Sequence, residues 1–289
     1  MRRTPAILLL VVLAALCAVA GSDSLAAGEP GLRVETGRFV LEWVDAPDSA
    51  EVAGVKAEAE RLYARVAGLL GGEPRGKVTI VLGGFAEQPG RAREYPRVDA
   101  MRRILLFKYV PDYTNYFGAL AHELVHVFRF ERRLTADWFF EEGFAEFVAL
   151  RADSSLAGFP WFDFPVPVVA GQWLAGGEGI PLSVLRERHD ELNPKCGAQS
   201  YALRASFFDW LGRTRGDSTV IRAAGAADAG APGDYGRFFG SPFDQLESAW
   251  RQAVLAEFAA FPAGEALARE YRLESPAKYQ RVCSEGADF

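Results

Sequence analysis

The sequence has few cysteines, few histidines and no surplus of basic charge, and each scarcity excludes a class of protein. Three cysteines in 289 residues are too few for a disulfide-dense scaffold or a four-cysteine zinc module. The formal net charge of −6 creates no global basic field, so no nucleic-acid partner is expected. Internal repeats and low-complexity tracts are also lacking. The remaining composition, 49% hydrophobic and 24% charged, is that of an ordinary globular protein with one or two packed domains.

A long apolar run occurs only near the N-terminus, at Ala6–Ala20, directly downstream of Arg2 and Arg3. A basic start, an apolar stretch and a small-residue end predict a secretory signal peptide over residues 1–20, removed after Ala20 or slightly later. A spanning helix needs about 20 apolar residues, so a membrane anchor is the minor alternative. The sequence therefore predicts an exported protein, periplasmic or extracellular, with no stable membrane insertion after cleavage.

Removal of the signal peptide changes both the charge and the cysteine count. Without Arg2 and Arg3 the chain keeps 30 basic and 38 acidic residues, a net charge of −8. Cys17 is removed as well, which leaves Cys196 and Cys283. In an exported protein this pair is compatible with one disulfide that ties the C-terminal tail to residue 196. Two separate buried thiols are an equally open alternative.

The predicted secondary structure changes in kind at Pro111. Before it, alternation of apolar and polar residues predicts strands, and helical spacing predicts one helix. The predicted strands cover residues 39–44, 77–82 and 103–108, the predicted helix covers 48–70, and residues 85–98 are predicted to be a loop. This order predicts an N-terminal α/β lobe over residues 31–114.

After Pro111 the apolar spacing is helical. Buried helices are predicted over residues 115–132 and 137–151, amphipathic helices over 199–213 and 243–258, and a further helix over 263–271. Residues 152–195 are predicted to be irregular because Pro160, Pro165 and Pro167 exclude a long helix. Residues 115–289 are therefore predicted to form a helical lobe, and the two lobes together one α+β domain.

The most informative motif is His122-Glu123-Leu124-Val125-His126, which contains two of the three histidines. Residues four apart lie on one helix face, so both imidazoles are placed as ligands of one metal ion. Glu123 lies one residue further round the helix, where it could take a proton from a metal-bound water. An apolar helix would not bury two histidines and a glutamate without a compensating partner. The motif therefore predicts a zinc site with Glu123 as general base.

A second informative segment, Trp138-Phe-Phe-Glu-Glu-Gly-Phe-Ala-Glu-Phe147, lies on the next predicted helix. Together with HELVH it resembles the gluzincin metallopeptidases, in particular the branch with a peptidase MA-like domain. The resemblance implies a zincin-like fold with the metal site between a small sheet-and-helix lobe and a helical lobe. It also implies that Zn²⁺ is bound by His122, His126 and Glu142, with Glu146 orienting the first histidine.

Physical arguments support these two glutamates. A metal-bound imidazole usually donates its other N–H to a carboxylate, and the i, i+4 spacing lets Glu142 and Glu146 face the same way. Glu141 is a competing ligand, about 100° away round the helix. Gly143 in mid-helix is expected to admit close approach of the HExxH helix.

The resemblance extends more weakly to other segments. It implies that residues 103–108 form the edge strand along which an extended peptide pairs. It makes Tyr201 a candidate electrophile whose hydroxyl donates to the oxyanion, with a half-buried packing role as the alternative. His189, in a charged stretch, is predicted to be a surface residue.

These patterns predict a zinc-dependent peptidase that cleaves peptide or protein substrates with a zinc-bound water activated by Glu123. The aminopeptidase signature Gly-x-Met-Glu-Asn is missing from Asp99–Phe107, which favours an endopeptidase. Two alternatives stay open: a catalytically silent, zinc-stabilised binding domain, and an esterase or other hydrolase with the same zinc. The aromatic segment Phe159–Pro165 could be a substrate wall, a lid or a block. The sequence does not indicate an oligomeric state.

Overall fold

The computed structural model describes residues 31–43, 46–82, 97–98, 103–106, 116–132, 137–153, 165–177, 179–226 and 234–261. Within these ranges a small sheet comes first in the chain and is followed by a mostly helical region. The predicted α+β class is confirmed.

The sheet has five strands in the described part of the chain. They are β1 (Leu32–Glu35), β2 (Phe39–Trp43), β3 (Val78–Leu82), β4 (Arg97–Val98) and β5 (Arg103–Leu106). Their order across the sheet is β1-β2-β3-β5-β4. The three central strands are parallel, with Phe39 opposite Val78 and Thr79 opposite Arg103, whereas β1 and β4 pair antiparallel at the two sides.

The position of β5 corrects one prediction. Residues 103–108 were expected to form the edge strand, but β5 lies between β3 and β4, with Arg97 opposite Leu105 and Val98 opposite Ile104. That expectation is wrong, because a two-residue strand within a segment rich in Gly, Pro and Arg has too few residues to show any alternation. The four-residue strand β1 was not predicted, although its residues alternate between partly buried and exposed.

Helix α1 (Ser49–Leu70) connects β2 to β3 and covers the sheet. It begins at Asp48, whose side chain accepts a hydrogen bond from the backbone N–H of Glu51, a typical N-cap. The ring of Tyr63 lies 5.5 Å from that of Phe39 on β2 and 5.1 Å from that of Phe128 in the following helix. This helix therefore joins the sheet to the helical region in one hydrophobic core.

The helical region contains eight further helices in the described residues. They are α2 (Tyr116–Glu131), α3 (Trp138–Ala152), α4 (Val166–Ala175), α5 (Leu182–Glu187), α6 (His189–Arg215), α7 (Asp217–Ala226), α8 (Tyr235–Phe239) and α9 (Phe243–Ala260). Helix α3 is buried on nearly all sides and packs against α1, α2, α5 and α6. The predictions over 115–132, 137–151 and 243–258 are confirmed, while those over 1–20 and 263–271 lie outside the described residues. None of the described helices is both long and apolar enough to cross a membrane.

Residues 152–195 are more helical than predicted. They contain α4, α5 and the start of α6, so the prediction of an irregular segment is wrong there. Pro165 and Pro181 occupy the N-caps of α4 and α5, and Pro167 lies in the first turn of α4. Because the first turn of a helix has no internal acceptors for its N–H groups, proline starts these helices rather than interrupting them.

Helix α6 begins ten residues before the predicted start at residue 199 and has a kink at Cys196, where φ is −123° and ψ is 28°. Cys196 is buried and disulfide-bonded. The two other cysteines, Cys17 and Cys283, lie outside the described residues. Cys196 is therefore not a free thiol.

Candidate metal centre

Helices α2 and α3 pack antiparallel and position the residues of the candidate site. Nδ1 of His122 lies 2.9 Å from Oε1 of Glu146, and Nε of Arg129 lies 2.5 Å from Oε2 of Glu141. The earlier residue of α2 therefore meets the later residue of α3, as expected for helices that run in opposite directions. The start of α3 is fixed by Asp137, whose side chain accepts a hydrogen bond from the Phe140 N–H at 2.8 Å.

Three predicted ligands, His122, His126 and Glu142, meet between these helices. Nε2 of His122 lies 3.0 Å from Nε2 of His126 and 3.2 Å from Oε2 of Glu142. Nε2 of His126 lies 3.7 Å from Oε1 of Glu142. Ligands of a tetrahedral zinc ion with bonds of about 2.05 Å are spaced by about 3.3 Å. The three residues form a buried cluster that could hold a metal ion.

Hydrogen bonding within the protein does not satisfy this cluster. His122, His126, Glu142 and Glu146 are all buried. Nδ1 of each histidine and Oε2 of each glutamate lack a hydrogen-bond partner. An unsatisfied buried polar atom costs roughly 1–3 kcal/mol. The donor set therefore fits a site that a divalent cation completes.

The electrostatics of the cluster favour positive charge. Burial lowers the pKa of His122, but the carboxylates of Glu146 and Glu142 outweigh burial and hold this pKa well above its ordinary value. Burial raises the pKa of Glu142, but His126 and His122 outweigh it and hold that pKa well below its usual value. The negative potential that stabilises a proton on His122 would stabilise a metal cation at the same place.

Glu123 is buried beside the cluster without belonging to the three candidate ligands. Burial raises the pKa of its carboxyl, an effect that His122 and His126 partly oppose. The charges of both histidines therefore act on the carboxyl of Glu123.

Glu141 is engaged elsewhere. Arg129 donates to its two carboxylate oxygens, from Nε at 2.5 Å and from Nη2 at 2.7 Å. Arg129 also donates from Nη1 to the carbonyl of Ala224 on α7 at 3.1 Å. Geometry therefore favours Glu142 over Glu141 as the carboxylate of the cluster. Sequence reasoning missed the partner of Glu141, although a single arginine inside an apolar helix is a signal for a buried ion pair.

Glu146 lies beside the first histidine of the motif. Its Oε1 is 2.9 Å from Nδ1 of His122. Because Nδ1 faces Glu146, Nε2 of His122 points to the other two ligands. Glu142 and Glu146 share one face of α3, as their spacing predicts.

Tyr201 on α6 reaches the same cluster. Its ring centroid lies 5.9 Å from that of His122, and its hydroxyl hydrogen-bonds with Glu142. Burial, and after it the negative charge of Glu142, raises the pKa of Tyr201 well above its usual value. The phenol therefore stays protonated and available as a donor.

The segment that contains the cluster matches a known family. Residues 108–159, which are 52 of the 289 residues, match the sequence family described as "Peptidase of plants and bacteria". No curated protein and no solved structure matches the chain significantly. The match supports a peptidase-like character for the segment that contains the cluster.

Arg204 is a further buried group near the cluster that sequence reasoning missed. Its guanidinium lies 4.7 Å from the centroid of the Tyr201 ring, and Nη2 donates to the hydroxyl of Ser200 at 2.8 Å. Nη1 lies 3.1 Å from Nδ1 of His189. His189 is partly exposed, and its ring contacts Arg204 on one side. Arg204 follows Tyr201 by three residues on the predicted helix, a spacing that could have indicated this contact.

Gly143 serves a different contact from the one predicted. A Cβ atom at this position would lie 2.4 Å from Cδ2 of Phe208 and 3.4 Å from Cβ of Arg204. The glycine therefore admits close approach of α6, not of the HExxH helix. The aromatic segment Phe159–Pro165, which the sequence suggested as a substrate wall, a lid or a block, lies almost wholly outside the described residues.

Proposed function

We propose that the chain is an exported zinc metallopeptidase of the gluzincin type that hydrolyses bonds within peptides or proteins. The observation that carries this proposal is the buried cluster of His122, His126 and Glu142, with ligand atoms 3.0–3.7 Å apart where a tetrahedral zinc ion needs about 3.3 Å. The cluster lies inside the segment that matches a peptidase family.

The zinc ligands would be Nε2 of His122, Nε2 of His126 and one carboxylate oxygen of Glu142. Zinc bound there would lower the pKa of a water molecule to about 7 and polarise the scissile carbonyl. Glu146 would fix the ring of His122 through Nδ1, so that Nε2 stays directed at the ion.

Two other residues would move or donate protons. Glu123 would accept a proton from the attacking water and deliver it to the leaving amine. Its burial keeps bulk water from competing for that proton. Tyr201, whose hydroxyl hydrogen-bonds with Glu142, would give up that bond and donate its single proton to the developing oxyanion instead.

Two observations support export. The apolar run at Ala6–Ala20 has the form of a signal peptide, and disulfides such as that of Cys196 persist in oxidising compartments. Sequencing the N-terminus of protein recovered from the exported fraction should place the first residue just after Ala20. Full-length protein that stays inside the cell would contradict export.

Hydrolysis and zinc binding can be tested on one preparation. Purified mature protein should contain stoichiometric zinc and should create new internal termini in a mixture of denatured proteins. Glu123→Gln should keep the zinc and abolish cleavage, whereas His122→Ala should lose the zinc. Glu257→Gln, which alters an exposed ion pair with Arg213, is the matched control and should change neither property.

The outcomes separate the proposal from its alternatives. Zinc without cleavage at any pH would favour the silent binding domain. New termini confined to chain ends would contradict the endopeptidase assignment. Absence of zinc would contradict the metal site itself.

A further inference from the structure

Two large aromatic side chains are exposed beside the candidate metal centre. Among the described residues, Phe130 and Trp138 are the exposed large hydrophobic side chains, at 42% and 48% exposure. Other large aromatic side chains of the described helices, such as Phe144 and Trp250, are buried. Both exposed residues belong to the helix pair that carries the cluster, Phe130 to α2 and Trp138 to α3.

Both side chains lie at one end of the cluster. The ring of Phe130 stacks on that of His126, with centroids 5.8 Å apart and 17° between the planes. Trp138 precedes Glu142 by four residues and therefore shares its helix face. Because α2 and α3 run antiparallel, the end of α2 and the start of α3 lie together. We name Phe130 and Trp138 the aromatic pair.

The exposed tryptophan is held in place. The ring of Trp138 stacks on that of His189 at 6.0 Å and 13°, and its carbonyl oxygen lies 3.5 Å from Nη1 of Arg204, which donates to it. An aromatic side chain that is already immobilised loses little conformational entropy when it binds a partner. Exposed apolar surface of this kind marks binding sites when it adjoins a functional centre.

We infer that the aromatic pair binds a bulky apolar side chain of the substrate next to the cleaved bond. The substrate class is therefore peptide segments with Phe, Leu or Met beside the scissile bond, which folded proteins bury and unfolded proteins expose. This inference rests on the proposed peptidase function. Phe130 contacts the ring of His126, and Trp138 shares a helix face with Glu142. Because both of these residues are candidate metal ligands, the group that binds the aromatic pair is the substrate rather than a separate partner.

Peptide binding tests the inference without turnover. The probes are two fluorescent capped peptides of equal length, one of alanine alone and one with a single central phenylalanine. On zinc-loaded Glu123→Gln protein the phenylalanine peptide should bind roughly tenfold tighter or more, since burying a large apolar group in a pocket gives such factors. Adding Trp138→Ala or Phe130→Ala should bring the two affinities within about twofold of each other.

Phe238→Ala is the matched control, because Phe238 is a partly buried aromatic on α8, which carries none of the cluster residues. It should leave the tenfold preference unchanged. Since Phe130 touches His126, the zinc content of each variant is measured, and Phe130→Leu provides a version that keeps an apolar group against the ring.

Equal affinity for the two peptides, or a preference that survives both alanine variants, would overturn the inference. So would a wild-type dimer that dissociates in Trp138→Ala, because the pair would then bind a second copy. If the wild type cleaves peptides in a zinc-dependent manner whatever side chain lies next to the cleaved bond, the inference is rejected but the peptidase function is not. Preferential binding with no cleavage would reject the peptidase function and uphold apolar recognition.

Discussion

Helices α2 and α3 bury two groups of polar side chains between them, and the groups differ in how many of their polar atoms have hydrogen-bond partners. In the first, Arg129 donates two charge-assisted hydrogen bonds to Glu141, and Arg129 has a third acceptor on α7. In the second, His122 and Glu142 approach to 3.2 Å and still leave buried polar atoms without partners. The first group is complete within the protein, whereas the second could be completed by a metal ion. Glu141 and Glu142, which are adjacent in the sequence, thus differ in whether the protein satisfies the group of side chains to which they belong.

The largest effect is expected from Glu142→Gln. A neutral amide is a poor zinc ligand, so the variant should lose stoichiometric zinc and at least about a thousandfold of peptidase activity, equivalent to about 4 kcal/mol. Zinc analysis and cleavage of a denatured protein measure both. Glu141→Gln is the matched control and should retain its zinc. Loss of zinc in Glu141→Gln alone would reverse the assignment of the ligand.

Arg129→Met should destabilise the fold without removing zinc. Glu141 would then be a buried carboxylate with its main partner gone, which costs roughly 3–5 kcal/mol. Urea unfolding measures this loss. The double variant Arg129→Met/Glu141→Leu should recover most of the stability, because replacing both members of a buried ion pair is often close to neutral. A double variant as unstable as the single one would contradict the comparison.

Glu146→Gln should have an intermediate effect on the metal. The amide oxygen can still accept from Nδ1 of His122, but it lacks the charge that makes the imidazole a stronger ligand. Such outer partners of a zinc-bound histidine typically contribute roughly 10–100-fold in affinity. Competition with a chelator measures this factor. An unchanged zinc affinity would show that Glu146 only fills space.

The smallest effect is expected at Glu60, a carboxylate near the surface that accepts hydrogen bonds from other groups of the protein. Thr36 Oγ1 donates to it at 2.6 Å, and Arg38 donates from its backbone N–H at 3.2 Å and from Nη1 at 3.0 Å. Burial opposes ionisation, but these donors outweigh it and lower the pKa of Glu60. Glu60→Gln should therefore cost about 1 kcal/mol at neutral pH.

The pH dependence of that cost checks its cause. The folded pKa of Glu60 is below its ordinary value of 4.5, so its contribution is present above pH 4.5 and is lost as the pH falls through the folded pKa. Unfolding free energies of wild type and Glu60→Gln should thus converge on acidification. A difference that stays constant down to strongly acidic pH would show that charge is not involved.

The sequence predicts those parts of the centre that depend on helical spacing. His122 and His126 lie on one face because they are four residues apart, and Glu142 and Glu146 do so for the same reason. The helices themselves were predictable from their apolar content, with Asp137 in place as an N-cap. Features of the site that depend only on residue spacing along a helix can therefore be predicted from the sequence.

Contacts between distant segments could not be predicted in this way. Trp138, His189 and Arg204 meet only in the folded protein, and the alternation of residues around 97–98 is too short to indicate a strand. The need for a glycine at position 143 depends on Phe208, which lies 65 residues further along the chain. In each case the deciding partner is supplied by tertiary packing, which a single sequence does not display.

The antiparallel pairing of α2 and α3 has a consequence for folding. All three candidate ligands fall within the 21 consecutive residues from His122 to Glu142, so bringing them together closes only a short loop. Short loops cost little closure entropy and local contacts form quickly. This helical hairpin can therefore assemble its ligands before β2 pairs with β3, because those two strands are separated in the chain by the whole of α1. An ion captured at that stage would act as a nucleus on which the rest of the chain packs.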